Sequence, residues 1–180
     1  MEITIREATP ADAVLIADVS RQTFYDTFAA DNTKEDMDKF LNEQFTRGKL
    51  ILEVGAPGHI FLLAFAGEEV AGYVKLREGK HPAGLGSQNA LEIARLYATS
   101  AMIGKGVGSK LMQASIDEAI KLGKDSVWLC VWEKNQRAIE FYTRWGFEKC
   151  GDTDFVLGND VQQDWIMGRR VREKKEEEEG

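Results

Sequence analysis

Cysteine and histidine are scarce, with two of each in 180 residues. Cys130 and Cys150 cannot form a disulfide framework in a chain of this size. Neither belongs to a C-x-x-C pair, and His59 and His81 stand alone, so no metal site is expected. Clustered positive charge is missing too. Lys and Arg number 23 against 30 Asp and Glu, a net charge of −7, which argues against nucleic acid as the main partner. The charge suits a cationic substrate, although a solvated acidic surface is its commoner meaning. No run approaches the ~20 apolar residues of a membrane span. The start, Met1 to Pro10, has neither a basic beginning nor an apolar stretch, so no signal peptide is read and a cytoplasmic setting is expected.

What is present is ordinary globular material, 43% hydrophobic and 29% charged. The length suits a single domain, read over residues 1–171, with 172–180 as a charged, solvated tail. Ile3 and Ile5 alternate with polar neighbours as a short strand. Thr9-Pro10 opens a helix running towards Phe24, and Asn32-Thr33 caps a second one reaching Phe45. Leu50 to Val54 adds a turn. His59 to Phe65 and Val70 to Arg77 form a hairpin, Glu78 to Gln88 a loop, and Ala90 to Thr99 a strand. An amphipathic helix carrying Leu111, Met112 and Ile116 then runs to Gly123. A buried strand from Ser126 to Val131 follows. A short helix capped by Asn135 ends at Gly146, before strands at Phe147 to Thr153 and Gln163 to Arg170.

The chemistry-bearing stretch is Ile103-Gly104-Lys105-Gly106-Val107-Gly108-Ser109, between a strand and that amphipathic helix. Glycines let a backbone approach a ligand and adopt positive φ, and a helix start offers free N–H groups and a positive dipole end. The combination suits a diphosphate. G-x-x-x-x-G-K-[ST] is absent, which excludes a P-loop nucleotide site. Ser109 stands where G-x-G-x-x-G needs its third glycine, and no strand pair of a doubly wound fold precedes the loop.

The loop resembles the [QR]-x-x-G-x-[GA] mark of the GNAT superfamily of N-acetyltransferases, with Ile103 in place of the usual Arg or Gln. Asn135-Gln136-Arg137-Ala138-Ile139-Glu140-Phe141-Tyr142-Thr143-Arg144-Trp145-Gly146-Phe147 is similar to that family's N-x-x-A-x-x-F-Y-x-x-x-G-F segment. Two motifs in the right order, with a strand between them, are far more specific than either alone. Thr23 to Phe28, Ala71 to Lys75, Trp128 to Asn135 and Gly158 to Asp164 further resemble the bacterial PaiA-type polyamine N-acetyltransferases. The resemblance implies an α/β (α+β) fold: a mixed, mostly antiparallel, twisted sheet of about seven strands flanked by about four helices.

It also implies acetyl-CoA as co-substrate, no metal, and direct attack of an amine on the thioester in a ternary complex. Such attack needs a proton acceptor, stabilisation of the oxyanion and an acid for the departing thiolate. Tyr142 matches the family tyrosine that protonates the thiolate, although it also suits a core aromatic beside Ala138 and Trp145. Glu92 sits where some members carry a base glutamate; a strand-edge salt bridge explains it equally well. Polyamine relatives often have a second glutamate at the position of Ala94, which is absent here. Leu96, Tyr97 and Ala98 match the strand end that pairs with pantetheine. Ile103 to Ser109 match the diphosphate loop, and Asn135 and Ala138 match positions along the cofactor arm. Arg144 is a candidate for the 3′-phosphate, against a plain solvated charge.

Phe24, Tyr25 and Phe28 are candidates for an amine pocket, and Asp26, Asp31, Glu35 and Asp36 for its anions, against a core stripe beside an acidic face. The expected partner is a small-molecule amine, favourably a polyamine such as spermidine or spermine, rather than nucleic acid or membrane; a homodimer stays open. The competing functions are acetylation of a protein N-terminus or another small amine, and a non-catalytic acyl-CoA sensor.

Overall fold

In the computed structural model, residues 2–171 are described; the charged tail expected at 172–180 lies outside them. Seven strands form one sheet in the order β1-β2-β3-β4-β5-β7-β6. They are β1 (Ile3–Glu7), β2 (His59–Ala66), β3 (Glu69–Arg77), β4 (Ala90–Ala98), β5 (Ser126–Trp132), β6 (Glu148–Leu157) and β7 (Asp160–Arg170). Every neighbouring pair is antiparallel except β4 and β5, so the sheet is mixed and mostly antiparallel, as expected.

Among the described residues five helices accompany it: α1 (Ala13–Phe28), α2 (Lys34–Lys39), α3 (Arg47–Glu53), α4 (Val107–Lys121) and α5 (Gln136–Arg144). The start expected at Thr9-Pro10 forms a short 3-10 turn, where the Asp12 carboxylate accepts from Thr9 N–H at 2.9 Å. Arg6 holds that carboxylate through two hydrogen bonds of 2.8 Å, keeping its pKa low at about 2. The helix expected from Asn32 to Phe45 is shorter. It turns π-helical over Phe40–Gln44, and Thr46 then caps α3 where only one extra turn was expected. The last hairpin is also longer than its sequence suggests. β6 runs to Leu157, and Gly158-Asn159 makes the turn. This tip is seated on α2: Asn159 N–H donates to Asp36 at 2.9 Å, and Lys39 donates to Asn159 at 2.6 Å.

α4 packs Val107, Leu111, Met112 and Ile116 onto one sheet face, among Val74, Leu91, Ile93, Val127 and Leu129. The opposite face carries Phe61, Leu63 and Tyr73 against Ile16 and Val19 of α1. Phe24, Phe40, Phe45, Leu50 and Leu157 form a third cluster, which joins α1, α3 and the hairpin tip. Among the described residues, no helix is long and apolar enough to cross a membrane.

One feature of the sheet positions the site. β4 and β5 pair over three rungs, Ala90 with Ser126, Leu91 with Val127 and Glu92 with Trp128. β4 continues to Ala98 and β5 to Trp132 without further pairing to each other, so the carboxyl ends of two central strands part and leave a cleft.

Candidate active site

The cleft opens into a cavity of about 950 Å³ bounded by β4, β5, β7, the glycine loop, α1, α5 and the π-helical segment. Its two ends differ in chemistry. At one, Ile103, Gly104, Gly106, Val107, Gly108 and Ser109 line it. Gly104 and Gly106 have φ of +81° and +83°, and no protein atom lies within 4 Å of a Cβ added at either. Gly106 is the N-cap of α4, whose first-turn amides have no intrahelical acceptor. The loop is therefore an open cradle of amide donors at a positive dipole end, which suits a diphosphate. Lys105 does not line it.

Leu96, Tyr97 and Ala98 form the wall on the end of β4 that has parted from β5. Asn135, Ala138, Tyr142 and Arg144 face them from α5. Asn135 caps α5 by accepting from Ala138 N–H at 3.3 Å. Tyr142 packs edge-on to Phe147 and Phe141 at 5.9 and 5.6 Å. Among the described residues its hydroxyl has no hydrogen-bond partner, and burial pushes its pKa up to about 12. The hydroxyl thus remains a proton donor through neutral pH.

At the other end, Phe24 stacks on Phe40 at 4.5 Å and meets Phe28 at 4.6 Å. Trp132 lies edge-on to Phe28 at 6.1 Å, and Phe155 lies 5.6 Å from Phe40. All five rings line the cavity, with Asp26 on α1 and Asp164 on β7. Aromatic faces with carboxylates suit an alkylammonium, whose methylenes pack and whose charge is attracted.

The candidates from sequence divide clearly. Phe24, Phe28 and Asp26 reach the cavity. Tyr25 is half exposed and does not, and neither do Asp31, Glu35 or Asp36, the last being occupied with Asn159. Glu92 does not line it either. Its buried carboxylate accepts from Arg77 Nε at 2.6 Å, so the ion-pair reading describes its surroundings. The reason is register. Lys75 pairs with Arg95 and Leu76 with Ile93, so Ala94 is an extra residue in β4. Ile93, Ala94 and Arg95 line the cavity, while Glu92 stays on the last paired rung.

The acetyltransferase (GNAT) family model matches residues 21–147. The chain belongs to that family and is an N-acetyltransferase. An uncharacterized N-acetyltransferase of Lactobacillus delbrueckii subsp. lactis is 36% identical over 153 residues, covering 85% of this chain and 88% of its own. The spermidine N(1)-acetyltransferase of Thermoplasma acidophilum is 27% identical over 163 residues, covering 87% and 96%. The solved PaiA N-acetyltransferase from Thermoplasma acidophilum, in complex with coenzyme A, superposes with a TM-score of 0.76 at 25% identity, over 94% of this chain and 99% of that one.

In this acetyltransferase several cavity residues escape sequence reasoning. Phe40, Phe45, Trp132, Phe155 and Arg95 come from four separate elements, and their spacing along the chain carries no shared signal. Cys130 also lines the cavity. Partial burial, with the charges of Asp164 and Glu92, pushes its thiol up to about 12, so it is no thiolate nucleophile at neutral pH. Asp164 carried one usable signal, a lone acid directly before the apolar run Trp165-Ile166-Met167 of β7. Among the described residues, no group of three His, Cys, Asp or Glu could hold a metal ion.

Proposed function

We propose that the protein moves an acetyl group from acetyl-CoA to a primary amine by direct attack in a ternary complex, and that its acceptor is a polyamine such as spermidine or spermine. The observation that carries this reading is a single cavity with an amide cradle at one end and an aromatic, acidic chamber at the other. Acetyl-CoA fits the first end on the protein's own geometry: the space beside Gly104 and Gly106 is open, and the amides at the start of α4 face an anion.

In this account the loop from Ile103 to Ser109 holds the diphosphate through backbone amides, so the apolar Ile103 is tolerated. Leu96, Tyr97 and Ala98 guide the pantetheine arm along β4. Asn135 and Ala138 flank it, and Arg144 approaches the 3′-phosphate. Phe24, Phe28, Phe40 and Trp132 receive the carbon chain of the amine, with Asp26 and Asp164 supplying its anions. Tyr142 protonates the departing sulfur. The spermidine N(1)-acetyltransferase relative supports the choice of acceptor.

The test is release of free CoA from acetyl-CoA in the presence of spermidine, spermine, single amino acids or N-terminal peptides. Turnover is expected with the polyamines. Turnover only with peptides or other small amines would replace the acceptor, and acetyl-CoA binding without turnover on any amine would point to a sensor.

A further inference from the structure

We infer that Asp164 is the base that takes the proton from the acceptor ammonium, a role resting on the acetyl-transfer reading above. Three placements support it. Asp164 lies on β7 directly opposite Trp132, at the end of β5 that has parted from β4, and lines the same cavity as Tyr142. Its carboxylate is half-buried, and among the described residues it has neither a hydrogen-bond donor nor a salt-bridge partner. The rival carboxylate, Glu92, is outside the cavity and is paired with Arg77.

The surroundings fit a group that must gain and lose a proton. Burial and then the charge of Glu133, just past β5, raise the Asp164 carboxyl to about 6. Its register partner on β6 is the neutral Thr153. Cys130 flanks it on β5 as a neutral thiol. From β4, Tyr97 is held neutral, chiefly by burial; Arg95 lines the cavity from the same strand. Asp26 adds a second carboxylate from α1, and Arg137 and Arg144 line the cavity from α5. A carboxylate titrating near 6 is ionised at neutral pH and is a stronger base than one near ~3.9.

The protons balance as follows. The acceptor enters as an ammonium with three N–H bonds, and the amide product keeps one. Asp164 accepts the first proton and passes it to solvent, which frees the lone pair that forms the C–N bond. The tetrahedral intermediate then collapses: the C–S bond breaks with its electron pair on sulfur, and the Tyr142 hydroxyl protonates that sulfur. The second proton leaving nitrogen restores Tyr142. The net change is one amide formed, one thiol released and one proton delivered to solvent.

The experiment is the pH profile of kcat/KM for spermidine in the wild type, Asp164→Asn, Asp164→Glu and Glu92→Gln, with calorimetric acetyl-CoA affinity and melting temperature. The wild type should lose activity as pH falls through about 6. Asp164→Asn should lower kcat on the order of 10²-fold or more. It should lose that acidic limb and keep its acetyl-CoA affinity. Its melting temperature at neutral pH should be no lower, because the native carboxylate is held against burial. Asp164→Glu should restore part of the rate and the limb, and Glu92→Gln should keep the limb. The assignment is overturned if Asp164→Asn changes KM alone, if its limb near pH 6 persists, or if Glu92→Gln abolishes that limb. Wild-type protein inert towards every amine would overturn the transfer reading, and this base with it. That result is distinct from a loss confined to the Asp164 variants.

Discussion

The Glu92 carboxylate accepts a hydrogen bond from Arg77 Nε at 2.6 Å, across the last rungs that join β3, β4 and β5. The pair sits where the sheet is about to split, and it is more than half shielded from water. Glu92→Gln should therefore act on stability more than on chemistry. We expect a loss of roughly 1–3 kcal/mol in urea unfolding, because the Arg77 guanidinium is left with a weaker acceptor. A kcat within about threefold of wild type is expected beside it, since proton-acceptor effects are usually 10²-fold or larger.

Tyr142 is the opposite case, a hydroxyl with no structural partner among the described residues, held in its protonated form by burial. Removing it leaves the ring packing against Phe141 and Phe147 intact. Tyr142→Phe should keep wild-type melting and acetyl-CoA affinity while kcat falls on the order of 10²-fold. Stopped-flow or steady-state CoA release measures this directly.

Much of the amide-cradle end of the cavity is readable from sequence because its signals are local. Gly104 and Gly106 are demanded by backbone angles within the loop, and Asn135 caps the helix that it begins. The aromatic end is not local. Phe24 and Phe28 of α1, Phe40 of the π-helical segment, Trp132 of β5 and Phe155 of β6 come together only through tertiary packing. The sequence order of the strands likewise conceals that β7 lies between β5 and β6, the arrangement that brings Asp164 beside Trp132. Glu92 shows the limit of motif matching. Its chain position matches the motif, but the side chain lies on the last rung between β4 and β5, accepts from Arg77 and is outside the cavity.

Gly106→Ala should separate fold from cofactor binding. The alanine must adopt φ near +83°, a strain of roughly 1 kcal/mol, yet its methyl meets no protein atom. Melting should drop only slightly. Calorimetry should show acetyl-CoA affinity weakened on the order of tenfold, because the methyl occupies the space beside the α4 amides.

A buried ion cluster ties α3 to the sheet. Glu53 accepts from Arg95 at 2.8 and 3.0 Å and lies 3.3 Å from Lys75. Burial pulls the Glu53 carboxyl up, but Arg95 and Lys75 outweigh it and hold it below its usual value. Lys75 is almost fully buried; that burial, helped by Arg95, lowers it to about 8. The folded state thus binds this proton less tightly than the unfolded chain, so the contribution of Lys75 to stability should rise with pH between about 8 and about 10.5, against the opposite trend of Cys130 and Tyr142. The gain is at most ~3 kcal/mol. Between pH 8 and pH 10 the urea midpoint should change more favourably in the wild type than in Lys75→Met, and the difference between the two measures the gain.

In the proposed reaction acetyl-CoA and the amine occupy the two ends of one cavity at the same time, and the acetyl group passes straight from one to the other. Initial velocities measured over a grid of acetyl-CoA and spermidine concentrations distinguish this from a two-step transfer. Intersecting double-reciprocal lines, with N-acetylspermidine and CoA formed in equal amounts, are the predicted result. Parallel lines, with an acetylated protein trapped when the amine is omitted, would contradict it.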